Sequence, residues 1–135
     1  MRKNHLIIRV LNFNYMVINI LLYAAVIIFN VIANVFLKIA AQNLPAFGSV
    51  PFFEILKAVA NRWFIIGLLG FVFAFPAFVM LLNRQKLSVA SPIVMAAVFL
   101  CVALASIIWL KESLSAMQLA GIFIIVAGVA LLSQS

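Results

Sequence analysis

Apolar and polar positions alternate along this chain in long blocks rather than in short periods. Four stretches are apolar over about the ~20 residues that a ~30 Å hydrocarbon core requires: roughly 16–37, 63–82, 89–110 and 117–132. The last is the shortest, at about sixteen residues, so it is expected to stand upright or be shielded by neighbours. Each block predicts a membrane helix, because a strand or loop in hydrocarbon leaves backbone N–H and C=O groups without partners. The fold class read from this pattern is an all-α integral membrane protein, one domain over residues 1–135, with four transmembrane helices in a bundle. Such a unit is too thin to enclose a sizeable chamber alone, which favours an oligomer or a partner.

Polar positions inside the first block make it unlike the others. Asn19, Tyr23, Asn30 and Asn34 interrupt the run Met16 to Lys38. At 100° per residue they fall within about 60° of one another, forming one stripe on a greasy helix. Hydrocarbon offers an amide no hydrogen bond, so the stripe must face protein or water. Two readings follow. The stripe lines a substrate path, or its amides join the first helices of two subunits through interhelical hydrogen bonds of roughly 0.6–2 kcal/mol each. Asn19 suits the second reading; Asn30, nearest the middle of the span, suits the first.

The remaining blocks carry small-residue faces. Gly67, Gly70, Ala74 and Ala77 lie along one side of the second, with Phe71, Phe73, Phe75 and Phe78 giving bulk elsewhere. Ala90, Ala97, Cys101 and Ala105 form a similar face on the third. In the fourth, Ala120-Gly121 and Ala127-Gly128 repeat seven residues apart, a smooth strip that suits a dimer contact. Small side chains let membrane helices approach closely. Pro76 is expected to bend the second helix, and Pro92 to fall in the first turn of the third, where proline is tolerated.

Between the blocks, Pro45, Gly48 and Pro51 punctuate the longest connection. The following Phe52, Phe53, Leu56, Val59 and Ala60 stand near helical spacing, with Glu54 and Lys57 outward. This reads as a short amphipathic surface segment, serving either as an elbow into the second span or as a substrate lid. Ser115 with Gln118 three residues later matches a capping box opening the last helix. Glu112 beside Lys111 reads as a solvated or capping residue. Residues 1–15 read as an interfacial leader with Arg2, Lys3 and Arg9 near headgroups; Arg9 breaks its apolar part and no cleavage pattern follows.

Composition narrows the chemistry. The chain is 69% hydrophobic and 8% charged, against roughly half and a quarter in soluble domains. Its net charge of +7 is spread between apolar blocks, which suits membrane-boundary anchors and not nucleic acid. Aspartate is absent, Glu54 and Glu112 are the only acidic side chains, and His5 is the only histidine. No acid/base pair, metal cage or Ser-His-Asp set can be assembled, so the chain is expected to be no enzyme and to need no cofactor. Cys101 lies alone in an apolar run, as filler. With the amino terminus cytoplasmic, Arg2, Lys3, Arg9, Arg84 and Lys86 share one side and Lys38, Lys57, Arg62 and Lys111 the other. That near balance gives only a mild orientation preference and admits antiparallel, parallel or mixed pairs.

Two stretches resemble the small multidrug resistance proteins and the EamA-like four-helix members of the drug/metabolite transporter superfamily. NVIANVFLK, Asn30 to Lys38, is similar to the first-helix signature in which a carboxylate precedes a Val-Ile pair and a Lys stands eight positions on. WLKESLSAMQLAGIFIIVAGVALL, Trp109 to Leu132, is similar to the closing helix of EamA-type transporters. The resemblance implies membrane transport by paired subunits. It also exposes a departure: the position matching the proton-binding carboxylate of the drug exporters is Asn30, and an amide cannot release a proton near neutral pH. Pro92 and Met95 stand near positions where the exporters carry aromatics. The pattern instead resembles the small lipid-associated members that move polyprenyl-phosphate-linked sugars across the inner membrane. The expectation is a multi-pass plasma (inner) membrane flippase subunit, in a homodimer or heterodimer, with membrane lipid as its other partner. Asn30, Asn34, Tyr23, Asn19 and Lys38 would line its path. A noncatalytic accessory subunit and a cationic-drug exporter are the alternatives.

Overall fold

A computed structural model describes residues 2–43 and 59–132, with side chains from residue 13 onward. The surface segment expected around Phe52, Phe53, Glu54, Leu56 and Lys57 lies outside the described residues. The described residues form four helices and no strand: α1 (Arg2–Gln42), α2 (Arg62–Leu82), α3 (Leu87–Trp109) and α4 (Ala116–Leu132). Within α1 the stretch Phe13–Gln42, and α2 and α3 in full, are long and apolar enough to cross a membrane. The described part of α4, 17 residues, rises about 25 Å.

The first helix begins at Arg2, so the backbone expected as a separate leader and the first span form one helix of 41 residues. No proline or glycine falls between Arg2 and Gln42 to interrupt it. The helices run up and down. Arg84, just past α2, reaches the Tyr15 ring near the start of the described face of α1, with its guanidinium carbon 5.2 Å from the ring centre. Lys38, near the end of α1, meets Glu112 beyond α3.

Sequence chemistry accounts for the helix ends. Asn61 caps α2: its Oδ1 accepts from the Trp63 N–H at 3.1 Å. The capping box at α4 forms in both halves. The Ser115 N–H donates to Gln118 Oε1 at 2.8 Å, and the Gln118 N–H donates to Ser115 Oγ at 3.2 Å. α3 starts earlier than its hydropathy suggests, at Leu87. Pro92 therefore lies in the second turn and not the first, where it withholds the N–H that the Ser88 carbonyl would otherwise receive. Lys111 ends the α3 corner with a positive φ of 54°. That corner turns the Glu112 N–H back to the Ser106 carbonyl at 3.1 Å.

The bundle packs through the small-residue face of α2. Gly67, Gly70 and Ala74 are buried there, and a Cβ on Gly70 would stand 2.9 Å from the Phe29 carbonyl oxygen. Phe36 on Trp63, stacked with centres 5.5 Å apart, and Phe29 against Phe73, tilted at 5.7 Å, flank this close approach. Val26 of α1, Leu81 of α2, and Ala90, Val94 and Val98 of α3 form the shared core. The Ala97 and Cys101 side of α3 is only half-buried, because the branched Val94 and Val98 fill the contact instead. α4 packs chiefly on α3 and buries no residue fully.

Candidate functional site

The described bundle holds a cleft of about 250 Å³ at the junction of α1, α2 and α3. Val26 and Asn30 contribute the α1 wall. Phe71, Ala74, Phe75 and Phe78 contribute the α2 wall, and Val94, Met95 and Val98 close it from α3. Asn30 is the one hydrogen-bonding side chain among these residues, and no charged group lines the space. Its Nδ2 donates to the Val26 carbonyl one turn back, at 2.9 Å. That bond holds the side chain along its own helix and leaves Oδ1 as the acceptor turned to other partners.

The other stripe residues take separate stations. Asn34 Nδ2 donates to the Asn30 carbonyl at 2.8 Å, repeating the same backbone-directed bond one turn on. Tyr23 packs its half-buried ring against the core around Val26 and Leu81 and is absent from the cleft wall. Asn19 Oδ1 is buried without a hydrogen-bond partner among the described residues. Lys38 Nζ lies 3.0 Å from Glu112 Oε1, so the charge expected at a path mouth is engaged, and Glu112 is an ion-pair partner as well as a corner residue. Only Asn30 of the five path candidates lines the cleft.

The small-residue candidates divide in the same way. Gly67 and Gly70 face Leu37, Ala33 and Phe29 of α1 in the same chain, whereas Gly121 and Gly128 have open space where a Cβ would stand. The aromatic wall is what residue-by-residue reading missed. Phe71, Phe75 and Phe78 stand at i, i+4 and i+7, one stripe of α2, and that spacing was available to find them. Pro76 lies within this same stretch of α2 and withholds the N–H that the Val72 carbonyl would receive.

Three described helices long and apolar enough to span a membrane, packed around an aromatic cleft, define a helical-bundle membrane protein. The chain belongs to the EamA-like transporter family, whose profile matches residues 15–134, and it is thereby a membrane transporter of the drug/metabolite superfamily. This family implies transport and not enzymatic turnover. No curated protein and no solved structure gives a significant match to the chain.

Proposed function

We propose that this chain is one subunit of a paired transporter in the plasma (inner) membrane. It moves an amphipathic, lipid-linked substrate of the polyprenyl-phosphate sugar class past Asn30, without a proton-binding acid in the first helix. The observation that carries this reading is Asn30 itself, a lone amide facing an aromatic, uncharged cleft. An amide Oδ1 accepts a hydrogen bond from a sugar hydroxyl, and Phe71, Phe75 and Phe78 offer ring faces to the apolar side of a sugar or to a prenyl chain. No carboxylate lines the cleft to hold a proton or attract an organic cation. A cleft of about 250 Å³ is smaller than such a substrate needs, so a second subunit, identical or similar, completes the path.

Asn30→Leu tests this directly. The variant keeps its assembly state on gel filtration in detergent and loses movement of a short-chain polyprenyl-phosphate sugar in proteoliposomes. Loss of stable protein together with transport would assign Asn30 to subunit assembly and remove the reading's main support.

A second reading, a noncatalytic subunit of a larger membrane complex, is favoured by α4. Met117, Phe123, Ile124 and Leu131 are exposed along it, and both of its described glycines are uncovered. An accessory subunit leaves transport indifferent to Asn30→Leu while α4 substitutions release the partner.

A further inference from the structure

A second cavity lies against the C-terminal end of α1. Ile32, Val35, Phe36 and Ile39 line it together with Trp109, the last residue of α3, and its volume is about 210 Å³. At 100° per residue these α1 positions cluster roughly opposite Asn30, so this space is on the other side of the helix from the cleft. Its walls are entirely apolar or aromatic side chains.

A charged pair lies at the same end of α1 and α3, outside the cavity lining. Lys38 immediately precedes Ile39, and Glu112 follows Trp109 by three residues; the two side chains pair at 3.0 Å. Glu112 is the only carboxylate side chain among the described residues, which also carry Arg62, Arg84, Lys86 and Lys111. Its placement has a conformational cost. Lys111 adopts a φ of 54°, a left-handed conformation unfavourable for a residue with a Cβ, and the Glu112 N–H then bonds to Ser106. The backbone is thus bent to set an anion on Lys38.

Both partners remain partly exposed, so the pair is weak enough to exchange. A phosphate monoester brings more charge and more acceptor oxygens than a carboxylate, and a sugar-linked phosphodiester matches its single charge. An ammonium at the same end of the bundle as a cavity with hydrocarbon-like walls suits a ligand that is anionic at one end and apolar along the rest.

The geometry points to Lys38, Glu112 and the cavity beneath Trp109 as a binding site for a phosphate-bearing lipid, with Glu112 as the resident anion that the lipid phosphate displaces from Lys38. The choice of ligand class rests on the function proposed above; the seat does not depend on transport through the Asn30 cleft. Glu112 then sets how tightly the lipid is held, because each binding event must first free Lys38.

The test uses the full chain with Trp63→Phe, which leaves Trp109 as the single tryptophan and keeps an aromatic ring on Phe36. Trp109 fluorescence is quenched in detergent micelles by dodecyl phosphate brominated on its chain. Saturable quenching is expected, tightened about 1.4- to fivefold by Glu112→Gln, since an exposed ion pair contributes about 0.2–1 kcal/mol. Lys38→Gln weakens it, adding Glu112→Gln to Lys38→Gln does not restore it, and Lys38→Arg retains it. A brominated neutral dodecyl glucoside quenches all variants alike, and excess inorganic phosphate does not compete. Equal affinity for dodecyl phosphate across these variants, or competition by inorganic phosphate as strong as by the lipid, overturns the lipid seat. The transport assay separates the two proposals. Lys38-dependent binding without sugar-lipid movement removes the transport reading alone, and movement without Lys38-dependent binding removes the seat alone.

Discussion

Gly70 of α2 stands so close to Ala33 of α1 that a Cβ on the glycine would lie 3.0 Å from both the Ala33 Cβ and its backbone nitrogen. The nearest obstacle to that Cβ, the Phe29 carbonyl at 2.9 Å, is also backbone and cannot swing aside. At Gly67 the nearest atoms belong to the Leu37 side chain, at 2.8 and 3.0 Å, with the Ala33 carbonyl next at 3.1 Å. Gly70→Ala is therefore expected to cost more stability than Gly67→Ala, by roughly 1–3 kcal/mol at the first site and less at the second. Thermal unfolding of the two variants in the same detergent checks the order; equal losses would contradict it.

Gly121 and Gly128 are the converse case, with nothing within 4 Å of an added Cβ. Gly128→Leu is expected to leave the unfolding temperature of the isolated chain unchanged and to weaken association with a second subunit, if α4 is the pairing surface. Crosslinking or sedimentation in detergent measures the association. Unchanged association would place the partner contact on another helix.

Asn30→Asp puts a carboxylate into the aromatic cleft. Unlike the amide, a carboxylate exchanges a proton with solvent, so it is neutral at low pH and charged at higher pH. The variant is expected to gain binding of a quaternary ammonium compound. That binding falls as the carboxylate is protonated at low pH, while the native protein shows no such dependence. Isothermal titration across pH reads both, and pH-dependent cation binding by the native protein would restore the exporter reading.

Ser115→Ala removes one half of the box that starts α4 and is expected to cost about 0.5–2 kcal/mol, seen as faster amide exchange in the first turn of that helix. Ser115→Asp supplies an alternative acceptor and retains most of the protection. Uniform exchange across all three proteins would mean that packing on α3, and not the cap, sets the start of α4.

Lys111→Gly relieves the left-handed corner and is expected to raise stability by about 1 kcal/mol in thermal unfolding. Lys111→Val, β-branched at the same φ, lowers it.

What the sequence revealed and what it hid follow from the range of the interactions. The four apolar blocks and the Ser115–Gln118 box are local patterns, and the fold carries both. The glycine face of α2 was also local, but its partner was not: only the folded chain shows that α1 covers Gly67 and Gly70 while Gly121 and Gly128 stay open. The polar stripe marked α1 as unusual, yet the 100° rule could not tell which stripe residue meets the cleft, because that depends on where α2 and α3 lean. Tyr23 went to the core and Asn30 to the cleft from the same face. The Lys38–Glu112 pair joins residues from distant parts of the chain, and no spacing rule reaches that far. Pro92 was misplaced because the polar residues before Val89 concealed the true start of α3 at Leu87.

The short apolar run of the last span, Met117 to Leu132, has a consequence for the surroundings of the protein as well as its interior. Its sixteen residues cover about 24 Å as a helix in a ~30 Å hydrocarbon layer, a mismatch of about 6 Å, at a fraction of a kcal/mol per Å. Acyl-chain length thereby becomes a control variable. Shorter-chain lipids relieve the strain on α4, longer-chain lipids deepen it, and the stability of this chain is partly a property of the bilayer that holds it.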